Sequence, residues 1–426
     1  MGVADFAGRR TRMKRWWSLL LLGMASCSIS AMDVDMPTPT DLPSTESAQV
    51  WLRQDPAVQE ALADMAGAGH VAGMLRASPH EWTVKATSQQ RRYEAGPTSR
   101  EWAAQLERTI RLPGKKAMDR QLGDVEVDLA QARLGEAIHE AARSLLDLWM
   151  AWAQTEHAKK LIAEQTTFAQ SNLQAAKTRQ RAGDASRLEV NVAAGDLVEI
   201  QQRFAQASAE AAKAQARLRI RFPDVPSGLP TLSEPQPVAM PEQAWHELVM
   251  ASSDPLRIAE LEMRKAEQQA DRARADRLPD PTVGVFTASE AFSRERIIGV
   301  SVSIPLPGGY RRERLGQALT AVDAATAARD RQQRVVETEI AEAYADASGN
   351  HARWQLATKG ARHAADTARL TQRAYTLGEA DVQTLLLARR QSLQASEAAL
   401  DARVTALRAY YRLLIDAHRI WGLAHE

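Results

Sequence analysis

The chain has 426 residues, 54 basic and 53 acidic side chains and a formal net charge of +1. So even a balance carries no basic footprint for nucleic acid, and the low aromatic share of 5% with alanine, leucine, glutamine, arginine and glutamate in long runs describes long helices rather than a mixed globular core. No run holds the 18 or more apolar residues that a membrane-spanning helix requires.

At the N-terminus, Arg9, Arg10, Arg12, Lys14 and Arg15 precede the apolar run from Trp16 to Ala25. A basic segment, a short apolar segment and then small residues describe a secretory signal over 1–31, starting at Met1 or at Met13. Cys27, the single cysteine, follows Met24-Ala25-Ser26, where a lipoprotein signal places its lipid-accepting residue. Cleavage near Ser30 or Ala31 would instead remove it. Either way the mature chain has no disulfide, and its stability rests on packing.

Beyond the signal, one plan is written twice, about 195 residues apart. Asp55-Pro56 and Asp254-Pro255 open corresponding helical stretches. Leu112-Pro113-Gly114 with Lys115-Lys116 matches Leu306-Pro307-Gly308 with Arg311-Arg312, and Gly183-Asp184-Ala185 matches Gly378-Glu379-Ala380. The prolines draw the map: none of the 18 lies between Gly114 and Phe222 and none after Pro307. Proline breaks helices, so these stretches are helix territory. Each is interrupted by one turn whose glycine can take the left-handed conformation that ends a helix. The expected division is a first repeat over 32–222, with a helix, a β-hairpin over 80–113 and a helical hairpin over 114–221 turning at 181–186. A proline-rich linker over 223–241 follows. The second repeat, over 242–426, has a helix, a β-hairpin over 280–307 and a helical hairpin over 308–421 turning at 376–381.

Periodicity supports each element. Trp102, Ala104 and Leu106 alternate with polar residues, as do Val300, Val302 and Ile304, the period-two signature of strands with one apolar face. Trp82, Tyr93, Trp102, Phe286 and Phe292 are candidate interfacial aromatics, and Arg91, Arg92, Arg108 and Arg111 must then face a lumen or lie beyond the membrane. In the last helix Leu386, Leu393, Leu400, Leu407 and Leu414 form one seam, and Ala388, Ala395, Ala402 and Ala409 another on nearly the opposite side. Two seams mean neighbours on both sides, as for the staves of a barrel or a helix buried in a bundle.

A secretory signal, a duplicated hairpin-plus-helical-hairpin plan and helices near 100 Å resemble the TolC-like outer-membrane efflux proteins over essentially the whole mature chain. The most specific matches are Gly299-Val300-Ser301-Val302-Ser303-Ile304-Pro305-Leu306 and Ala374-Tyr375-Thr376-Leu377-Gly378-Glu379-Ala380. Ile110–Lys116 and Arg181–Glu189 look most like the CzcC-type branch, associated with heavy-metal resistance pumps. The resemblance implies a mainly α fold with a small β part: a homotrimer sharing one 12-stranded barrel in outer-membrane lipid, continuous with a periplasmic helical barrel. It implies a passive conduit working with a periplasmic adaptor and an inner-membrane pump. Neither an enzyme nor a nucleic-acid binder is expected, and no cofactor.

The family's turns are its periplasmic tips. By this resemblance Arg181, Gly183, Asp184, Ser186, Tyr375, Gly378, Glu379 and Asp381 meet the adaptor. Glu189, Tyr375, Thr384 and Leu387 are the gate positions. Glu189 falls where relatives place an acidic group and Tyr375 on the matching tyrosine. The basic partner expected two residues after the second glycine is Ala380 here, and Thr384 and Leu387 stand where the best-known member has tunnel-facing aspartates. His139, His157, His351 and His363 lie on the long helices with no second ligand at helical spacing, which reads as satisfied or solvated histidine rather than metal. The same channel could serve drug efflux or type I secretion. The rival of another class is a periplasmic coiled-coil scaffold or adaptor without a pore.

Overall fold

The computed structural model describes residues 38–225 and 228–423; the signal segment and Cys27 lie outside them. The element order is α1 (Thr45–Gln54), α2 (Pro56–Ala77), β1 (Thr83–Arg91), β2 (Ser99–Thr109), α3 (Pro113–Ala182), α4 (Arg187–Arg221), then α5 (Glu242–Ser252), α6 (Asp254–Ala275), β3 (Thr282–Glu290), β4 (Glu295–Ser303), α7 (Gly309–Thr376) and α8 (Val382–Asp416). The second six repeat the first six. Where the sequence suggested one helix before each hairpin there are two, because Asp55 and Ser253 leave helical geometry and cap the next helix with their side chains. The first hairpin is also shorter than expected: β2 ends at Thr109, and Pro113 serves as the first residue of α3, where its missing N–H costs nothing.

The long helices α3 and α7 have 70 and 68 residues, about 100 Å each at 1.5 Å per residue. The returning α4 and α8 have 35 apiece. Helix α8 packs on α7 and also on α3 and α4. That accounts for its two seams: Leu393, Leu407 and Leu414 are buried on one line, Ala388 and Ala402 on the other. Burial is uneven between the repeats. Twenty residues of α3 are buried, but in α7 only Val336, Ile340, Ala347 and Tyr375 are.

The four strands form one antiparallel sheet in chain order, with β2 pairing β3. Strand lengths of 9, 11, 9 and 9 residues fit the 9–11 that cross a bilayer when tilted. Register separates the two faces. Val84, Trp102, Leu106, Val285, Ile298, Val300 and Val302 share one face through the pairs Val84↔Leu106, Leu106↔Val285 and Val285↔Val300. All seven are exposed, Ile298 and Val300 at 79%. Arg100 and Arg296 stand on this face near one end of the strands and Arg108 near the other, where Arg108 Nε donates to the His80 carbonyl at 3.0 Å and the guanidinium lies over Trp82. Arginines and aromatics thus bound a largely apolar band on one face, interrupted at Thr287.

The opposite face is polar and hydrogen-bonded. Gln105 Nε2 donates to Glu107 at 2.7 Å and to Ser301 Oγ at 3.2 Å, Lys85 pairs with Glu107 at 2.5 Å, and Arg91 reaches Glu101 and Glu290. Phe286 is on this polar face, not at an interface, and its ring lies against Gly299, where a Cβ would meet it at 2.5 Å. Tyr93 and Phe292 stack at the hairpin ends with centroids 5.9 Å apart.

Sheet and helices are joined by a buried charge knot. Lys115 Nζ, with its side chain 3% exposed, pairs with Asp280 at 3.0 Å and Asp276 at 3.2 Å and donates to the Leu278 carbonyl at 2.6 Å. Arg111, placed beyond the end of β2, pairs with Asp119 at 2.7 Å, and Arg272 joins Asp119 from α6 at 2.6 Å. Burial acts to raise the Asp280 carboxyl, but the Leu112 amide and the Lys115 ammonium hold it below the usual range. The main core lies at mid-height on the helices. There Trp51, Leu145, Leu146, Met150, Phe222, Leu407, Leu413, Ile415 and Trp421 interlock. The proline-rich segment crosses this level as a strap: both oxygens of buried Asp41 accept from Ser233 N at 2.9 Å, Oδ2 also accepts from Tyr411 at 2.7 Å, and Arg403 donates to the Ser233 carbonyl at 2.9 Å.

Replacing Lys115 with Met leaves buried carboxylates without their cation, and is expected to destabilise the chain by about 3–5 kcal/mol. The same change at exposed Lys116 is expected to cost under about 0.5 kcal/mol. Thermal loss of helical circular dichroism compares the two. Asp280 has a depressed folded pKa, so the knot's contribution is present above the ordinary aspartate value near 4 and is lost as pH falls through the folded value.

Candidate functional site

The two turns at the far ends of the helical hairpins carry the sequence-predicted residues. Gly183 has φ +87° and Gly378 φ +78°, the left-handed conformation that L residues adopt only under strain. Each turn closes on the carbonyls of the helix it ends: Asp184 N donates to Arg179 O and Glu379 N to Ala374 O, both at 2.9 Å. Each next helix has a side-chain cap. Ser186 Oγ accepts from Glu189 N at 3.2 Å, and Asp381 Oδ1 accepts from Thr384 N at 2.7 Å. The Thr384 amide and hydroxyl hold the exposed Asp381 carboxyl below its ordinary range.

One contact ties the turns together. The Tyr375 hydroxyl, at the end of α7, donates to Glu189 Oε1 at the start of α4. Glu189 Oε1 also accepts from Arg179 Nη1 at 2.8 Å, and Arg179 Nη2 donates to the Asp184 carbonyl at 3.2 Å. The Arg179 guanidinium lies 5.1 Å from the centre of the Tyr375 ring, within the range of a cation–π contact. Tyr375 is only 8% exposed. Burial, and then donation to the Glu189 carboxylate, pushes its phenol above the ordinary range.

The structure brings Glu189 and Tyr375 into contact and adds a residue that the sequence did not single out. Arg181, expected at the adaptor-facing surface, donates back to Lys177 O at 3.4 Å. Arg179 supplies the cation. It stands four residues before Gly183, one helical turn, so its side chain can fold across the turn toward α4. That spacing was the available signal. Thr384 and Leu387 take no part in the link; Leu387 is 55% exposed on the first turns of α8.

Further from the tips, arginines bridge the repeats. Arg203 Nη2 on α4 reaches both Glu397 oxygens on α8 at 2.7 and 2.8 Å, and Arg390 pairs with Glu199 at 3.1 Å. Arg389 is turned inward over the Phe168 ring, donates to Gln372 at 3.1 Å, and has a buried Nε with no hydrogen-bond partner. Burial pulls its pKa down to about 10, against the attraction of Asp196.

Residues 245–414, the second repeat from α5 to α8, match the family described as outer membrane efflux protein. A comparison with curated proteins returns no match. Among solved structures, the Campylobacter jejuni CmeC outer membrane channel is similar at 13% identity and a TM-score of 0.71, covering 89% of this chain and 86% of that one. The Vibrio cholerae outer membrane protein VceC is 16% identical with a TM-score of 0.71, over 87% of this chain and 95% of its own. The open state of the Neisseria gonorrhoeae MtrE outer membrane channel is 17% identical with a TM-score of 0.65, over 89% of each chain. At these identities the structures share the fold with both repeats, including the first, which the family pattern does not reach.

Because the protonated phenol is the form the tip holds, the Tyr375–Glu189 link is fully present below the ordinary tyrosine pKa near 10 and is lost as pH rises through the raised folded value. The difference in ultraviolet titration between the unaltered protein and Tyr375→Phe is expected to contain one phenol that ionises above the ordinary range.

Proposed function

We propose that this chain, whose second repeat carries the outer membrane efflux protein pattern, is the outer-membrane channel of a tripartite efflux pump. The observation that carries the reading is the two-faced sheet. An apolar band of residues at most 79% exposed faces outward from a polar, hydrogen-bonded inner face, on strands of bilayer length that lead directly into 100-Å helices. Four strands cannot close on themselves, and an open edge in hydrocarbon leaves its backbone groups unsatisfied. Three copies supply 12 strands and close both edges, with the helices continuing as a tunnel into the periplasm.

The chain contributes shape rather than energy. Glu101, Gln105, Glu107 and Ser301 line the barrel with polar groups, and the tips narrow the far end. There the Tyr375–Glu189–Arg179 contact holds α7 against α4, so breaking it releases one helical hairpin from the other. This is a gate with its cation on the first turn, in place of the one absent at Ala380. The exposed turn residues Arg181, Asp184, Ser186, Glu379 and Asp381 are the surface offered to a periplasmic adaptor, through which an inner-membrane pump drives transport. The cargo is metal cations, on the resemblance of Ile110–Lys116 and Arg181–Glu189 to the CzcC-type branch.

Planar-bilayer recording of the purified mature protein, with its oligomer mass measured, tests the conduit. Discrete conductance from a trimer is expected; a non-conducting monomer would establish the scaffold reading instead. Tyr375→Phe and Glu189→Gln are each expected to raise the open probability without changing the trimer mass. Deletion of the gene is expected to sensitise cells to divalent transition metals; sensitivity to drugs alone would reassign the cargo.

A further inference from the structure

Four long-helix histidines looked isolated in the sequence, and one is not. His157 Nε2 meets the Pro230 carbonyl at 2.8 Å, an ordinary satisfied contact. His139, buried at mid-height on α3, instead meets residues from two distant elements. A nitrogen of His139, a nitrogen of His418 and a carboxylate oxygen of Asp254 all lie within 4.8 Å of one another. His139 and Asp254 are buried and His418 is partly so. Chain separations of over a hundred residues hide this grouping from any local pattern.

Three observations point to a cation. The facing nitrogens, His139 Nδ1 and His418 Nε2, are 3.4 Å apart; two nitrogens at about 2.0–2.1 Å from a tetrahedral zinc stand roughly 3.3–3.4 Å apart. His139 Nε2 lies 3.1 Å from Asp416 Oδ1, and Arg143 Nε donates to the same oxygen at 2.8 Å. A carboxylate on the far nitrogen is the outer partner that metal-bound histidines ordinarily have, and it leaves Nδ1 as the electron-pair donor. Glu136, one turn before His139, has a buried Oε2 with no hydrogen-bond partner, beside a cavity of about 30 Å³ that Glu136, His139 and Asp416 line.

The backbone adds a fourth. The end of α8 closes with His418 N donating to Ile415 O at 2.9 Å and Arg419 N to Leu414 O at 2.7 Å. This double closure ordinarily places glycine at the left-handed position. Here that position is His418, with φ +52°. A side chain is kept where its backbone disfavours one, and that side chain is turned onto His139.

We propose that His139, His418 and Asp254 bind one divalent transition cation, zinc by its preference for imidazole and carboxylate donors, with water as the fourth ligand. The ion sits in the mid-height core, where it would fasten α3, the α5–α6 break and the end of α8 together. This site is independent of the cargo and of the conduit reading.

The test uses the full mature protein in detergent, stripped with a chelator and titrated with Co²⁺, then with Zn²⁺ in competition. One equivalent per protomer and the visible absorption of tetrahedral cobalt are expected. His418→Gly suits the left-handed backbone and so keeps the cap; it and His139→Gln are expected to abolish the band, while His351→Gln leaves it unchanged. Asp416→Asn is expected to weaken binding about 10–100-fold. An unaltered protein that gives no band overturns the proposal, as does a band that persists in either ligand variant, since His139, His418 and Asp254 would then be a metal-free hydrogen-bond network.

Discussion

Two unpaired backbone edges, on β1 and β4, are the constraint on which the rest of the molecule depends. A four-stranded sheet can leave its edges to water. This one carries an apolar band on one face, and in the proposed barrel that face meets hydrocarbon, where an unsatisfied N–H or C=O costs several kcal/mol. Closure by further copies is the physical resolution. It also explains why the inner face may carry Glu101, Glu107 and Lys85 in mutual contact. In a closed barrel these face water or each other and never lipid.

Closure at one end needs rigidity behind it. The Lys115–Asp280–Asp276 cluster and the Arg111–Asp119–Arg272 cluster tie strand end to helix start through largely buried ion pairs. The mid-height core then clamps the helices halfway along. Asp41, Ser233 and Tyr411 stitch the proline-rich strap across them.

Much of this was legible in the sequence, for one reason: local physics dominates long helices and short hairpins. Proline positions and the two glycine turns marked out α3, α4, α7 and α8, seven-residue seams described α8, and alternation marked the strands. Glu189 and Tyr375 followed from the family resemblance. What escaped was set by tertiary placement. The sequence did not single out Arg179, because its part depends on a side chain that folds across the turn to reach Glu189. Phe286 looked interfacial because aromatic alternation does not reveal which face lies inward; Gly299 opposite it fixes that. His139 and His418 are 279 residues apart, and no spacing rule reaches that far.

The unequal burial of the two long helices has a consequence for how this molecule comes into being. Helix α3 hides twenty residues within its own chain, whereas α7 hides four. In the proposed trimer, a lone protomer thus has one finished half and one half whose surface a neighbouring copy would cover. Its free energy of folding is then not a property of the chain but of the concentration of chains, since part of the stabilising contact arrives only by mass action. Association becomes the last step of folding, and a protomer that meets no copy of itself remains, in thermodynamic terms, an intermediate.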